Sequence, residues 1–160
     1  MILSFFLLDL DKDVACCVYA KKSFNWNKFI HSMKTDKSYE SLESRGLDYN
    51  YNLHSNEDVN NSKYKRVRHA STGFMLIKRD IINRLIENYS ELKILTDSLS
   101  KRDDYIYGLF CCMIKDSIYL SEDYSFCERV NNIGGEVWIS LNHNLNHIGK
   151  YVFRRDIKNR

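Results

Sequence analysis

Apolar residues recur along this chain in short clusters whose spacing switches between helical and extended. Ile2, Leu3, Phe5, Phe6, Leu7 and Leu10 suit a mostly buried helix better than an alternating strand. Val14 to Tyr19 reads as a short buried strand. Asn25 is a good helix cap, and the residues after it place Trp26, Phe29, Ile30 and Met33 on one helical face. Residues 34–62 are rich in Ser, Asn, Asp and Glu with scattered apolar positions, which predicts a long flexible loop.

Beyond that loop, Tyr64–Ala70 and Gly73–Ile77 read as strands around a Ser-Thr-Gly turn. A helix over Asp80–Tyr89 turns Ile81, Ile82, Leu85 and Ile86 inward. Tyr105–Ile114 is strongly apolar but fits strand and helix alike. Ser121 can cap a helix with the stripe Phe126, Val130 and Ile133, and Gly134-Gly135 supplies its stop. Strands over Val137–Leu141 and Leu145–Ile148 follow. The alternation predicts an α/β sandwich on a mainly parallel mixed sheet.

Composition narrows the class. With 160 residues, 44% of them apolar, the chain can bury one core, so residues 1–160 are expected to form a single domain. The net charge of +3 arises from 24 basic and 21 acidic residues spread along the chain, which argues against nucleic acid as a partner. The apolar amino terminus lacks a basic lead, and Asp9, Asp11 and Asp13 stand where a signal-peptide cleavage site would lie. No later stretch approaches the ~20 apolar residues of a membrane span. The five cysteines, Cys16, Cys17, Cys111, Cys112 and Cys127, read as buried free thiols, which implies a reducing, cytoplasmic location.

Several constellations can carry chemistry. Ser121-Glu122-Asp123 sets two carboxylates in a helix's first turn, where the dipole and free amides keep them ionised and able to accept a proton. Such acids also serve simply to stabilise a helix. His143 and His147 are four apart in a turn-and-strand context, so a paired zinc site is not expected, whereas His147 alone can offer an imidazole nitrogen to a metal. Thr72-Gly73 can bring backbone close to a ligand, Lys21 and Lys22 can face phosphate, and Trp26 can stack on a sugar. Lys63–His69 is a basic and aromatic run of the kind that binds single-stranded nucleic acid.

Taken in order, the segments Asp11–Lys22, Ala70–Arg79, Tyr119–Cys127, Gly134–Trp138 and His147–Gly149, with Phe153 beyond, resemble compact GT-A glycosyltransferases of large viruses, phages and bacteria. The resemblance covers most of the chain. It implies the carboxyl-terminal two thirds of a GT-A-like fold, lacking much of the nucleotide-binding half. It further implies an inverting transfer from a nucleotide-sugar donor to a glycan or other hydroxyl acceptor. Asp123, in the pair Glu122-Asp123, would be the base, and His147 would complete the shell of a divalent metal, Mn²⁺ or Mg²⁺. Thr72-Gly73 matches the loop beside donor and acceptor. Asp9-Leu10-Asp11 is a literal DxD but lies too close to Tyr19–Lys22 to hold that motif's usual place. A missing half implies association, as a homodimer or with a separate nucleotide-binding half, and leaves open a non-catalytic remnant serving binding or assembly.

Overall fold

The computed structural model describes residues 2–35, 42–54, 63–95, 105–150 and 152–153. Helix α1 (Ile2–Asp9) leads into the long strand β1 (Val14–Phe24) and the short helix α2 (Trp26–Thr35). Next come β2 (Leu47–Tyr49), β3 (Tyr51–Asn52), β4 (Tyr64–Val67), β5 (His69–Ala70) and β6 (Met75–Ile77). Helix α3 (Arg79–Asn88) precedes two hairpins, β7 (Lys93–Ile94) with β8 (Ile106–Tyr107) and β9 (Met113–Lys115) with β10 (Ile118–Leu120). Helix α4 (Glu122–Asn132), β11 (Val137–Leu145), β12 (His147–Ile148) and β13 (Val152–Phe153) complete the order.

The central sheet runs β2-β1-β11-β4, with β6 on the other edge of β1 from β11. It is mixed, as expected, but not mainly parallel: among the described residues β1 and β11 form its one parallel pair, and β2, β4 and β6 join antiparallel. Helices do lie between the paired strands, α2 between β1 and β6 and α3 and α4 between β4 and β11, but in both cases the chain re-enters the sheet running the opposite way. The chain is an α/β structure at this level.

Alternation along β1 divides the core. Val14, Cys16 and Val18 join Ile81 and Leu85 of α3, Phe126 and Val130 of α4, and Val137, Ile139 and Leu141 of β11. Ala15 and Cys17 point the other way, towards Leu7, Leu10, Phe74, Leu76 and Leu145. This is the period-2 pattern of a strand covered on both faces. Helix α1 is less enclosed than its sequence suggests: Leu7 is buried, but Phe6 and Leu8 are 41% and 55% exposed. A single flank of β1 cannot cover every side of so apolar a helix.

The loop expected over residues 34–62 is partly built. Residues 36–41 and 55–62 lie outside the described residues, but Leu42–Gly46 forms a 3₁₀ turn and β2 pairs with β1. Buried Leu47 packs with Ala20, and Gly46 lies against the Phe24 ring, where any side chain would overlap it. One leucine and one glycine anchor a segment whose polar composition hides them. At the chain's other ambiguous stretch, Tyr105–Ile114 forms two short strands around a turn rather than one element.

Candidate functional site

The carboxyl ends of parallel strands, where loops diverge, are the usual place for ligands in α/β sheets. Topology brings three of the sequence-predicted groups to that end of β1 and β11. Helix α4 delivers its last turn through Gly134, at φ 75°, to Val137 opposite Val14, so its first turn, with Glu122 and Asp123, lies at the other end. β6 pairs Met75 with Cys16 and runs antiparallel, which sets Thr72 and Gly73 alongside the later residues of β1. β12 returns past the same end, and His147 Nδ1 lies 2.8 Å from the Ala20 carbonyl oxygen.

Tyr19 is the hub of this group. Its ring lies so close to Gly73 that a Cβ there would overlap it, and it meets His147 edge to face at 4.8 Å between centroids. Tyr124, next to Asp123, has its phenol pushed up to about 12 by burial, then by the Asp123 carboxylate and by Cys127 and Tyr19. The register that allows this is irregular: Cys17 faces Ser140 but Tyr19 faces Leu145, so β11 bulges between the two pairs. The bulge redirects the chain towards His147.

Two local geometries bear on chemistry. Since a carbonyl oxygen only accepts, the His147 contact fixes the proton on Nδ1 and leaves the Nε2 lone pair for a ligand, an orientation common among metal-binding histidines. Asp123 Oδ1 accepts from the Ser121 hydroxyl and, at 2.9 Å, from the Tyr124 backbone N–H. Ser121 holds the cap position in extended conformation, but its hydroxyl orients Asp123 instead of closing a helical amide. Glu122 is exposed on the same turn.

The other predicted residues are arranged differently. Lys21 and Lys22 are exposed on β1 directly after the Ala20 carbonyl that holds His147. Trp26 stands beyond them, with its ring against Phe24 and Phe29 at 4.6 and 6.0 Å, and its contacts are with α2 and the end of β1 rather than with Tyr19 or His147. Asp9 and Asp11 are at the opposite end of β1: its seven residues from Val14 to Ala20 span ~20 Å at strand rise. Asp11 pairs with Lys78 at 2.6 Å, and Asp13 accepts from the Glu136 N–H at 3.0 Å, so these acids tie down the strand's start. His143 accepts from or donates to Ser140 at 2.6 Å and stacks near Phe6. Arg66 and Arg68 of the basic run face Glu136 at 3.6 Å and Glu128 at 3.3 Å.

A polar network beneath Asp123 gave no clear sequence signal. Glu128, one and a half turns along α4, is 4% exposed at its side chain and takes His69 Nε2 at 2.9 Å, Arg68 Nε at 3.3 Å and the Lys115 ammonium. His69 Nδ1 accepts from Asn52 at 3.2 Å, and its ring stacks on Tyr124. Burial pushes Glu128 up, but the bonds from Lys115 and His69 and the Arg68 charge outweigh it and hold the carboxyl at about 2. Cys111 and Cys112 are exposed, contrary to expectation, because they follow the Gly108 turn outside the core; Cys16, Cys17 and Cys127 are buried as expected. Burial pushes the Cys127 thiol up to about 12.

Among the described residues no group of three His, Cys, Asp or Glu side chains is arranged to hold a metal, and no helix is long and apolar enough to cross a membrane. Comparisons with protein-family models, curated proteins and solved structures return no match.

Proposed function

We propose that the chain is a glycosyltransferase domain that moves a sugar from a nucleotide-sugar donor to an acceptor hydroxyl with inversion. The observation that carries the reading is that Gly73 and His147 both meet Tyr19 at the carboxyl end of β1, the end of the sheet to which α4 turns its first residues and Asp123. In this reading the acceptor hydroxyl gives its proton to Asp123. Oδ1 already takes two hydrogen bonds, so Oδ2 is the oxygen that receives it. The acceptor oxygen then bonds to the anomeric carbon as the bond to the nucleotide diphosphate breaks, and the diphosphate leaves with the electron pair.

His147 would hold a divalent metal, Mg²⁺ or Mn²⁺, through Nε2, the nitrogen left free by the Ala20 carbonyl. A bound metal would neutralise charge on the departing diphosphate. Lys21 and Lys22, exposed beside the His147 anchor, add positive charge for the same group. A nearly orthogonal Tyr19 ring fixes the imidazole's face.

The test is release of nucleoside diphosphate from a panel of nucleotide sugars with Mn²⁺ and hydroxyl acceptors, for the natural chain and for Asp123→Asn. Turnover that falls ~10²–10⁴-fold in a folded Asp123→Asn protein supports the assignment. Equal turnover in both would refute Asp123 as the base. A second reading, a non-catalytic remnant that assembles with another protein, draws on the exposed Phe6 and Leu8 of α1 and predicts no turnover on any donor.

A further inference from the structure

Helix α2 is amphipathic, yet its apolar ridge points away from the protein. Its inward side is polar: Lys28 Nζ donates to the Leu47 carbonyl at 2.6 Å and pairs with Asp48 at 2.9 Å. Asn25 caps the helix by accepting from the Lys28 N–H at 3.1 Å, and its own N–H donates to the Gly46 carbonyl at 2.7 Å. Phe24 and Phe29 fill the seam beneath. Trp26, Ile30 and Met33 are left 65%, 52% and 47% exposed. At ~100° per residue these three fall within an arc of ~60°.

Among the described residues the exposed charges flanking this ridge are mostly basic. Lys34 on the last turn and Lys21 and Lys22 before the helix are exposed, and the Arg45 guanidinium reaches Met33 Sδ at 3.8 Å. Asp48 is already held by Lys28, which, with Lys21 farther off, keeps its carboxyl below the ordinary range. An outward Trp between aliphatic side chains, flanked by lysines, is the composition of a helix that lies in a lipid interface.

We propose that α2 docks this protein on an anionic phospholipid surface, with Trp26, Ile30 and Met33 entering the headgroup boundary and the flanking lysines meeting lipid phosphate and carboxylate. Charge complementarity selects this occupant. Two copies meeting ridge to ridge would oppose their lysines. Three side chains, of which even an aromatic one covers only ~150–250 Å², also fall short of the roughly 800 Å² per partner of a stable interface. A bilayer asks for neither shape complementarity nor such area.

Lys21 and Lys22 are shared with the glycosyltransferase reading, but Trp26, Ile30, Met33 and Lys34 are not, and substitutions at these positions test the proposal apart from it. Flotation of the full chain with phosphatidylcholine vesicles, with and without about a third phosphatidylserine, tests it. Binding is expected to the anionic vesicles, to weaken with added salt, and to fall roughly fivefold for Lys34→Gln. Ile30→Asp with Met33→Asp should reduce it tenfold or more, with circular dichroism confirming the fold. If that pair unfolds the chain, Lys34→Gln and the salt series decide alone. No binding by the folded natural chain, binding indifferent to these changes, or light scattering that reports a dimer dispersed by the aspartate pair would each overturn the proposal.

Discussion

Removing the Glu128 carboxylate should be among the most damaging single changes to this fold outside its apolar core. The group sits on α4 at 4% side-chain exposure and accepts from His69, Arg68 and Lys115, so it ties β5, the bend after β4, and β9 to one helix. Breaking a fully buried charge pair costs about 3–5 kcal/mol. Here the Lys115 and Arg68 side chains are 37% and 44% exposed and can regain water when the partner goes, which reduces the expected loss to ~2–3 kcal/mol. At about 2–4 °C per kcal/mol for a domain of this size, Glu128→Ala should lower Tm by roughly 5–10 °C at neutral pH. Glu128→Gln, which keeps shape but not charge, should lose about half as much.

The pH dependence has a definite sign. Glu128 is held at about 2 in the folded chain, against roughly 4.3 when unfolded. Its contribution is therefore complete above pH ~5 and disappears as pH falls towards ~2. His69 is pulled down, first by burial and only partly restored by Glu128, so it too destabilises the fold as pH drops below its unfolded value of ~6.5. Urea unfolding followed by circular dichroism from pH 7 to 3 should show the natural chain and Glu128→Gln converging at the acid end. Curves that coincide within ~0.5 kcal/mol at pH 7, or that diverge on acidification, would refute the reasoning.

Three further changes probe packing. Gly73→Ala forces the Tyr19 ring off its seat and should cost ~1–2 kcal/mol while shifting the His147 ring resonances in an NMR spectrum; unchanged resonances would contradict the hub role of Tyr19. Leu85→Ala opens a hole beside fully buried Ile81 and Phe126 and should cost ~2–5 kcal/mol, whereas Ile114→Ala at 76% exposure should change stability by less than ~0.5 kcal/mol; the two unfolding midpoints check both.

Helices α2, α3 and α4 and the buried half of β1 were legible because their apolar spacing is regular, and Asn25 and Ser121 mark the starts of α2 and α4 and Gly134 the stop of α4. Strand direction was not. Helices between strands suggested parallel crossovers, but the chain re-enters the sheet reversed after them, so that β6 is antiparallel to β1 and β11 to β4. The extension of β1 to Phe24 was hidden because Lys21, Lys22 and Ser23 are polar, and they lie where the strand emerges from its cover. The polar stretch before residue 54 concealed β2, whose buried Leu47 packs with Ala20, Phe24 and Tyr49.

At the candidate site, Asp123, Gly73 and His147 were each visible as residue types at turns, and the fold brings their segments to one end of the sheet. What joins them was not visible. Tyr19 read as an ordinary strand residue, and its position depends on a bulge in β11 that no local pattern announces. Glu128 and His69 are 59 residues apart and meet only through tertiary packing. An acid in the middle of a helix reads as a solvated face until its three cationic or donor partners are found around it.

Binding of a metal-bound nucleotide diphosphate at the Tyr19-centred end of the sheet, as proposed above, is tested most directly by the thermal unfolding midpoint with and without UDP or GDP in the presence of Mn²⁺. Ligand at about a hundredfold over its Kd stabilises the native state by ~2.7 kcal/mol, which is a rise of several degrees. That rise is expected with Mn²⁺ and one of the two nucleotides, and it should be lost in a folded His147→Ala chain. An unmoved midpoint in the natural chain, or a rise that survives His147→Ala, would contradict it.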